Sequence, residues 1–210
     1  SKGIMAQAFP LSIDYKNQPT SFHIEGDLSI VSSSFNKGKK DSPFENVGIM
    51  KNREVTTIEA KAKYDGPLLT LGDILLDDTD VPAEFFIPEE ELPRWEYLKG
   101  SKTEKRINKT TGYEYNYSEG SMAFPDFLDR PSRTIITGEG GKGPSRFKHV
   151  VYTSNGRYRR LTPLELERLN MFPDYHTEVV SDMRRAFLMG NALVTGIVKR
   201  IGAVLIKQMG

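Results

Sequence analysis

Sustained helical patterning occurs only after residue 160, so this 210-residue chain has to close a strand-rich body with a helical end. Thr162-Pro163 fits an N-cap followed by proline at the first helical position, and Glu165 stands where a capping box needs its carboxylate. Leu164, Leu166 and Leu169 then face a core, and Phe172-Pro173 stops the turn. Ser181-Asp182 reads as the cap of a second short helix ending at Gly190. A third helix runs from about Leu193. Its Val194, Ile197, Val198, Ile201, Val204 and Leu205 fall on one face at three- and four-residue spacing.

Upstream the signals are short. Residues 21–31 alternate apolar and polar positions, as a half-buried strand does, and residues 54–62 predict another strand ended by Asp65-Gly66-Pro67. Residues 36–43 are a turn or loop, and residues 70–76 a short helical turn at best. A short helix is expected around Trp95 over residues 89–100, and residues 99–117 read as a mobile loop or ribbon. Residues 133–137 and 149–152 predict two further strands. The expected class is α+β, with no internal repeat.

Apolar residues at 38% and charged residues at 27% exclude a disordered chain. The formal charge of +1 hides a segregation. Residues 73–96 hold nine acids against one base, and residues 130–160 hold eight bases against one acid, Glu139. The second stretch is a stripe that a phosphate backbone attracts. The chain has no cysteine, which removes disulfides, thiolate metal sites and thiol nucleophiles together. That fits a reducing cytoplasm. Pro10 and Asp14 break the apolar N-terminal stretch before it could serve as a secretory signal. Residues 186–206 have membrane length, but Lys199, Arg200 and interrupting glycines argue against a span, so no membrane partner is expected. A start at Ser1 is what a processed or cloned fragment would show.

Several motifs carry less than they promise. Gly138, Gly140 and Gly143 match a dinucleotide loop, but Pro144-Ser145-Arg146 follows where a helix is required. A glycine loop between basic strands suits approach to a nucleic-acid backbone better. His23, His149 and His176 lack metal-ligand spacing, and the Asp77, Asp78, Asp80 cluster lacks a calcium-loop glycine, so no metal is expected. No Gly-x-Ser-x-Gly elbow supports a serine nucleophile.

The segment from Arg157, Arg-Tyr-Arg-Arg-Leu-Thr-Pro-Leu-Glu-Leu-Glu-Arg-Leu-Asn-Met-Phe-Pro-Asp, resembles the ninth signature block of the DNA cytosine-5 methyltransferases. Gly190-Asn191-Ala192-Leu193 resembles the tenth. Residues 2–10 are similar to the stretch after the eighth block, and residues 42–48 and 130–151 to the target-recognition region of one bacterial branch. The resemblance implies a recognition domain over residues 1–156 and a helical segment over residues 157–210 that packs on a separate Rossmann-like catalytic domain.

It also implies chemistry. In the family a cysteine from a Pro-Cys motif attacks C6 of a flipped cytosine, a glutamate from a Glu-Asn-Val motif supports N3, and C5 takes the methyl group of S-adenosylmethionine. Neither motif is present here, nor is the glycine-rich cofactor loop, so the chain alone is expected to be inactive. By resemblance, Thr134 and Ile135 match the pair near the gap the flipped base leaves, and Arg130, Arg133, Arg146 and Lys148 flank it. Arg157, Arg159 and Arg160 complete the expected DNA-binding set, and Asn191 and Ala192 match positions that close the cofactor pocket from outside. The implied partners are double-stranded DNA and a polypeptide carrying the Pro-Cys motif, with self-association through the last helix as a further outcome. A non-catalytic DNA-binding module and a protein-interaction adaptor are the alternatives.

Overall fold

The structure, a computed structural model, describes residues 3–34, 44–64 and 66–210. By contacts it forms two compact units, Ser1–Gly66 with Ile201–Gly210, and Pro67–Arg200. The mixed α+β class expected from the sequence is what folds, as small antiparallel sheets and C-terminal helices.

The first unit carries α1 (Ile4–Ala8), β1 (Leu11–Ser12), β2 (Thr20–His23), α2 (Leu28–Ser34), β3 (Val47–Lys51), β4 (Glu54–Ile58) and β5 (Lys61–Ala62). β4 is the centre of a three-stranded sheet of order β2-β4-β3, with every pair antiparallel, and β1 pairs with β5. Val55 and Thr57, two residues apart on β4, are the buried positions, as the pleat requires. Asn52 and Arg53, with φ of 50° and 67°, make the two-residue turn whose twist suits the β3–β4 hairpin.

Two expectations change here. The strand predicted over residues 21–31 stops at His23, because Gly26 (φ +85°) turns the chain and Asp27 Oδ1 accepts from Ile30 N–H at 2.9 Å, opening α2. A side chain that bonds its own backbone competes with the ladder, and alternation of polarity does not reveal it. The run over residues 54–62 splits into β4 and β5, since the Asn46 amide exchanges two hydrogen bonds with the backbone of Ala60. The loop predicted at residues 36–43 lies outside the described residues, as does Asp65.

The second unit opens with 3-10 turns, including Gly72–Ile74 in the stretch where a helical turn was expected. It continues through α3 (Leu92–Lys99), the hairpin β6 (Lys102–Ile107) and β7 (Glu114–Glu119), the pair β8 (Val150–Tyr152) and β9 (Tyr158–Arg160), then α4 (Pro163–Leu169), α5 (Asp182–Asn191) and the start of α6 (Thr195–Met209), whose residues from Ile201 on count with the first unit. β8 feeds two apolar clusters from its opposite faces. Val151 packs with Leu71, Ile74, Leu161, Leu166 and Met189, while Val150 packs with Ile87 and Trp95. The functional boundary expected after residue 156 falls between β8 and β9, which are paired strands.

At α4 the capping box forms as read: Thr162 Oγ1 accepts from Glu165 N–H, and a Glu165 carboxylate oxygen accepts from Thr162 N–H at 2.7 Å. Ser181 precedes α5 but makes no side-chain cap bond. The strand expected at residues 133–137 does not form: residues 133–136 lie outside any ladder and a turn begins at Thr137. Gly190, near the end of α5, lies against the backbone of this segment at Ile136 and Thr137. No residue of α6 is buried, and Ile197 and Val198 remain about half exposed. Among the described residues no single helix is long and apolar enough to cross a membrane, and α5 and α6 meet at a 41° bend.

Candidate nucleic-acid interface

Glu165 is fully buried and its carboxylate accepts four hydrogen bonds from three residues. Arg159 reaches it with both terminal nitrogens, at 2.8 and 3.0 Å, while Leu76 N–H and Thr162 N–H donate to the same carboxylate. Arg159 also reaches Asp78 at 3.3 Å. Two residues later Glu167 accepts from Arg185 of α5 and from both the hydroxyl and the N–H of Thr177. Burial raises the Glu167 pKa, but these bonds outweigh it and the net direction is down. Asn170 closes the helix by donating to Met189 O, and its own carbonyl accepts from Thr195 at the start of α6. α4 therefore fixes β9, α5 and the entry to α6 to one frame.

A second polar network fastens the loop between β7 and β8. Asp126 binds Arg133 at 2.7 Å and the backbone of Val150 in both directions. Burial works to raise its pKa, but the Arg133 and Val150 hydrogen bonds outweigh it and the carboxyl stays below its ordinary range. Glu139 grips His149 through the ring Nδ1 and the backbone N–H, and His149 Nε2 lies 3.0 Å from Ser132 Oγ. Serine, histidine and carboxylate stand in triad order here. The imidazole is fully buried, however, and Ser132 Oγ also donates to Arg133 O, so the relay ties residues 131–135 to β8.

These networks present Thr134 and Ile135 beside the end of α5. A cavity of about 390 Å³ is lined by both, together with Gly190, Ala192, Asn170 and Met171. Gly190 is the closest approach: a Cβ there would stand 2.5 Å from Ile136 C and Thr137 Cα, both backbone atoms. Only glycine lets the two segments meet at that distance.

The structure separates the basic residues expected to meet DNA into two groups. Arg159 and Arg160 are buried; Arg160 donates to Glu84 O and Gly141 O. Lys148, also buried, donates to Gly141 O and Gly143 O, both at 2.6 Å, so the glycine loop turns its carbonyls inward. Gly140 of that loop packs against α5, with room for a Cβ only 2.9 Å from Ala186. Arg133 is committed to Asp126 and Phe147 O. Arg146 clamps Leu98 O, Gly100 O, Gly120 O and Glu119. Arg130 and Arg157 remain at the surface, lying 4.4 Å over Phe127 and 4.1 Å over Phe86. Asn191 is exposed and donates to Phe187 O, and Ala192 N–H donates to Met189 O.

The sequence reading left one surface out of the set. The β6–β7 hairpin, whose stretch was read only as a loop or ribbon, carries Lys105, Arg106 and Lys109 with no acid over residues 105–113. The alternation on either side of Asn108-Lys109-Thr110-Thr111-Gly112 was the available signal for it. Its feet are fixed. Arg146 holds both sides, Met122 N–H donates to Lys99 O, and buried Lys99 donates to Lys148 O at 2.7 Å. Burial pushes the Lys99 ammonium down to about 8. The three histidines gather no metal cluster among the described residues.

The profile of the C-5 cytosine-specific DNA methylases matches residues 30–207. The chain is 41% identical over 202 residues to the type II methyltransferase M.Sau3AI of Staphylococcus aureus, an alignment covering 95% of this chain and 46% of that protein. The chain thus spans about half the length of that relative, and it belongs to the C-5 cytosine-specific DNA methylase family.

Proposed function

We propose that this chain supplies DNA target recognition to a cytosine-5 methyltransferase whose bond-making cysteine is carried by other sequence. One observation carries the reading: a member of this family has no cysteine anywhere in its 210 residues. Attack on cytosine C6 needs a thiolate, because a neutral hydroxyl is too weak a nucleophile without an activating base. The helical end of the chain then packs on that catalytic part, where the half-open apolar face of α6 finds cover.

S-adenosylmethionine, when held by the assembled enzyme, supplies the methyl group. The residues here fit a contribution to the rim of its site. The Asn191 amide nitrogen and the Ala192 N–H are already used within α5, which leaves Asn191 Oδ1 and the Ala192 side chain to offer. Thr134 and Ile135 line one cavity with Gly190 and Ala192, so in this reading the recognition loop meets the cofactor rim at Ala192. Double-stranded DNA is the substrate in this reading. Arg130 and Arg157 bind phosphates directly, while Arg133, Arg146, Lys148, Arg159 and Arg160 set the loops that meet the duplex.

Binding of the chain to a duplex should therefore weaken steeply with salt. Removing Arg130 and Arg157 together should flatten the slope of log affinity against log salt by about 0.9 for each lost phosphate contact. Titration of fluorescent duplexes across a range of salt measures this. An unchanged slope would take both arginines off the DNA, and no duplex binding at low salt would remove the recognition role.

A further inference from the structure

The β6–β7 hairpin has two unlike faces. On one, Lys102, Glu104, Arg106, Tyr117 and Glu119 satisfy each other: Lys102 pairs with Glu119 at 3.2 Å, Arg106 pairs with Glu104 at 3.2 Å and lies 3.5 Å over the Tyr117 ring. On the other, Thr103, Lys105 and Ile107 oppose Ser118, Asn116 and Glu114, and all six are exposed. Lys105 and Asn116 are direct cross-strand partners at its middle. Neither side chain has a hydrogen-bond or ion-pair partner among the described residues. Beyond them the tip carries Lys109, with Gly112 (φ +70°) and an Asn108 side chain that accepts from Thr110 N–H at 2.9 Å shaping the turn.

A two-stranded hairpin with both faces in water is marginal by itself. This one is held at its feet by Arg146, which leaves the far half free to meet something else. Its dimensions and charge select the occupant. The B-DNA major groove admits a two-stranded β-ribbon, and three bases without an acid over residues 105–113 match the phosphates that flank that groove. Lysine bonds the O6 and N7 acceptors of guanine, and asparagine bonds adenine N6 and N7 in a bidentate pair. Glu114 is the one acid on the open face, and it lies toward the tip opposite Ile107.

Resting on the recognition role proposed above, we infer that this hairpin enters the major groove of the target duplex and reads bases with Lys105 and Asn116. Lys109 holds a phosphate at the groove edge and specifies nothing. This assigns sequence reading to an arm outside the basic stripe of residues 130–160.

Selection of the full chain against a pool of duplexes with a randomised core, followed by sequencing, tests it. Wild type should enrich a defined site. Lys105→Ala and Asn116→Ala should each relax preference at one position by about 5- to 150-fold, leaving the other positions intact. Lys109→Ala should weaken all duplexes equally and lower the salt slope by about 1. Circular dichroism of each variant should overlay wild type, since all three side chains are exposed. Unaltered preference in both reading variants would overturn the hairpin's role while leaving duplex recognition in place. No enrichment by wild type would overturn the recognition role itself, and the hairpin's with it. An RNA duplex of the selected sequence should bind weakly, because the A-form major groove is too narrow for a ribbon. Binding equal to DNA would count against major-groove entry.

Discussion

Glu165→Ala should cost about 3–5 kcal/mol of stability, the toll of leaving a buried cation without its counter-charge. The carboxylate does more than neutralise Arg159. It also accepts from Leu76 N–H and Thr162 N–H, so the substitution strands two buried backbone donors and opens the α4 cap. Arg159 cannot relax into solvent, being fully buried with Asp78 as its remaining acidic partner among the described residues. Against the 5–15 kcal/mol typical of a folded domain, a loss of about 4 kcal/mol is enough to unfold much of the second unit at 37 °C. Urea unfolding followed by tryptophan fluorescence reports it directly, because Trp95 is the sole tryptophan and lies in that unit. Glu165→Gln should fall between, since the amide oxygen still accepts while its nitrogen faces the guanidinium. A loss below about 1 kcal/mol in the alanine variant would mean that Glu165 is no hub.

Gly190→Ala is the second large effect, and it should separate function from folding. The new methyl group would meet backbone atoms of Ile136 and Thr137, which cannot rotate away as a flexible side chain can. Overpacking of this kind costs about 1–3 kcal/mol, and relief requires residues 134–137 to move off α5. The displaced segment includes Thr134 and Ile135, so base selectivity should fall by much more than duplex affinity. Gly202→Ala in α6 is the control: nothing lies within 4 Å of its added carbon. That change should leave selectivity alone and stabilise the helix by about 0.5–1 kcal/mol. Equal selectivity in Gly190→Ala and wild type would dissociate the recognition loop from the helix end.

The helical end was legible because its signals are local. Thr162, Pro163 and Glu165 define a cap within four positions, and the capping box formed as read. Trp95 and the surrounding short helix were legible for the same reason. Long-range geometry was not. Whether an arginine faces solvent or an internal acceptor depends on groups such as Asp78, 81 positions from Arg159, or the Leu98 carbonyl, 48 positions from Arg146, and spacing along the chain does not encode that pairing. Five of the basic residues in the stripe turned out to be internal fasteners for this reason. The segment 133–137 shows the same limit, since β-branched residues favour a strand there but among the described residues no strand pairs with it and the end of α5 packs on Ile136 and Thr137. The hairpin went the other way. Its alternation sets Tyr115 and Tyr117 against Asn116 and Ser118 without an aliphatic face, so the strand signal was faint although the hairpin pairs over six residues a side.

Transfer of a labelled methyl group from S-adenosylmethionine to duplex DNA is the most direct measurement, made with the 210-residue chain alone and with a polypeptide bearing the Pro-Cys and Glu-Asn-Val motifs. Background counts from the chain alone, and site-specific labelling of cytosine C5 once the second polypeptide is added, are the predicted results. Labelling by the solitary chain, or a stable complex of the two that leaves every cytosine unmodified, would contradict the division of recognition from bond making.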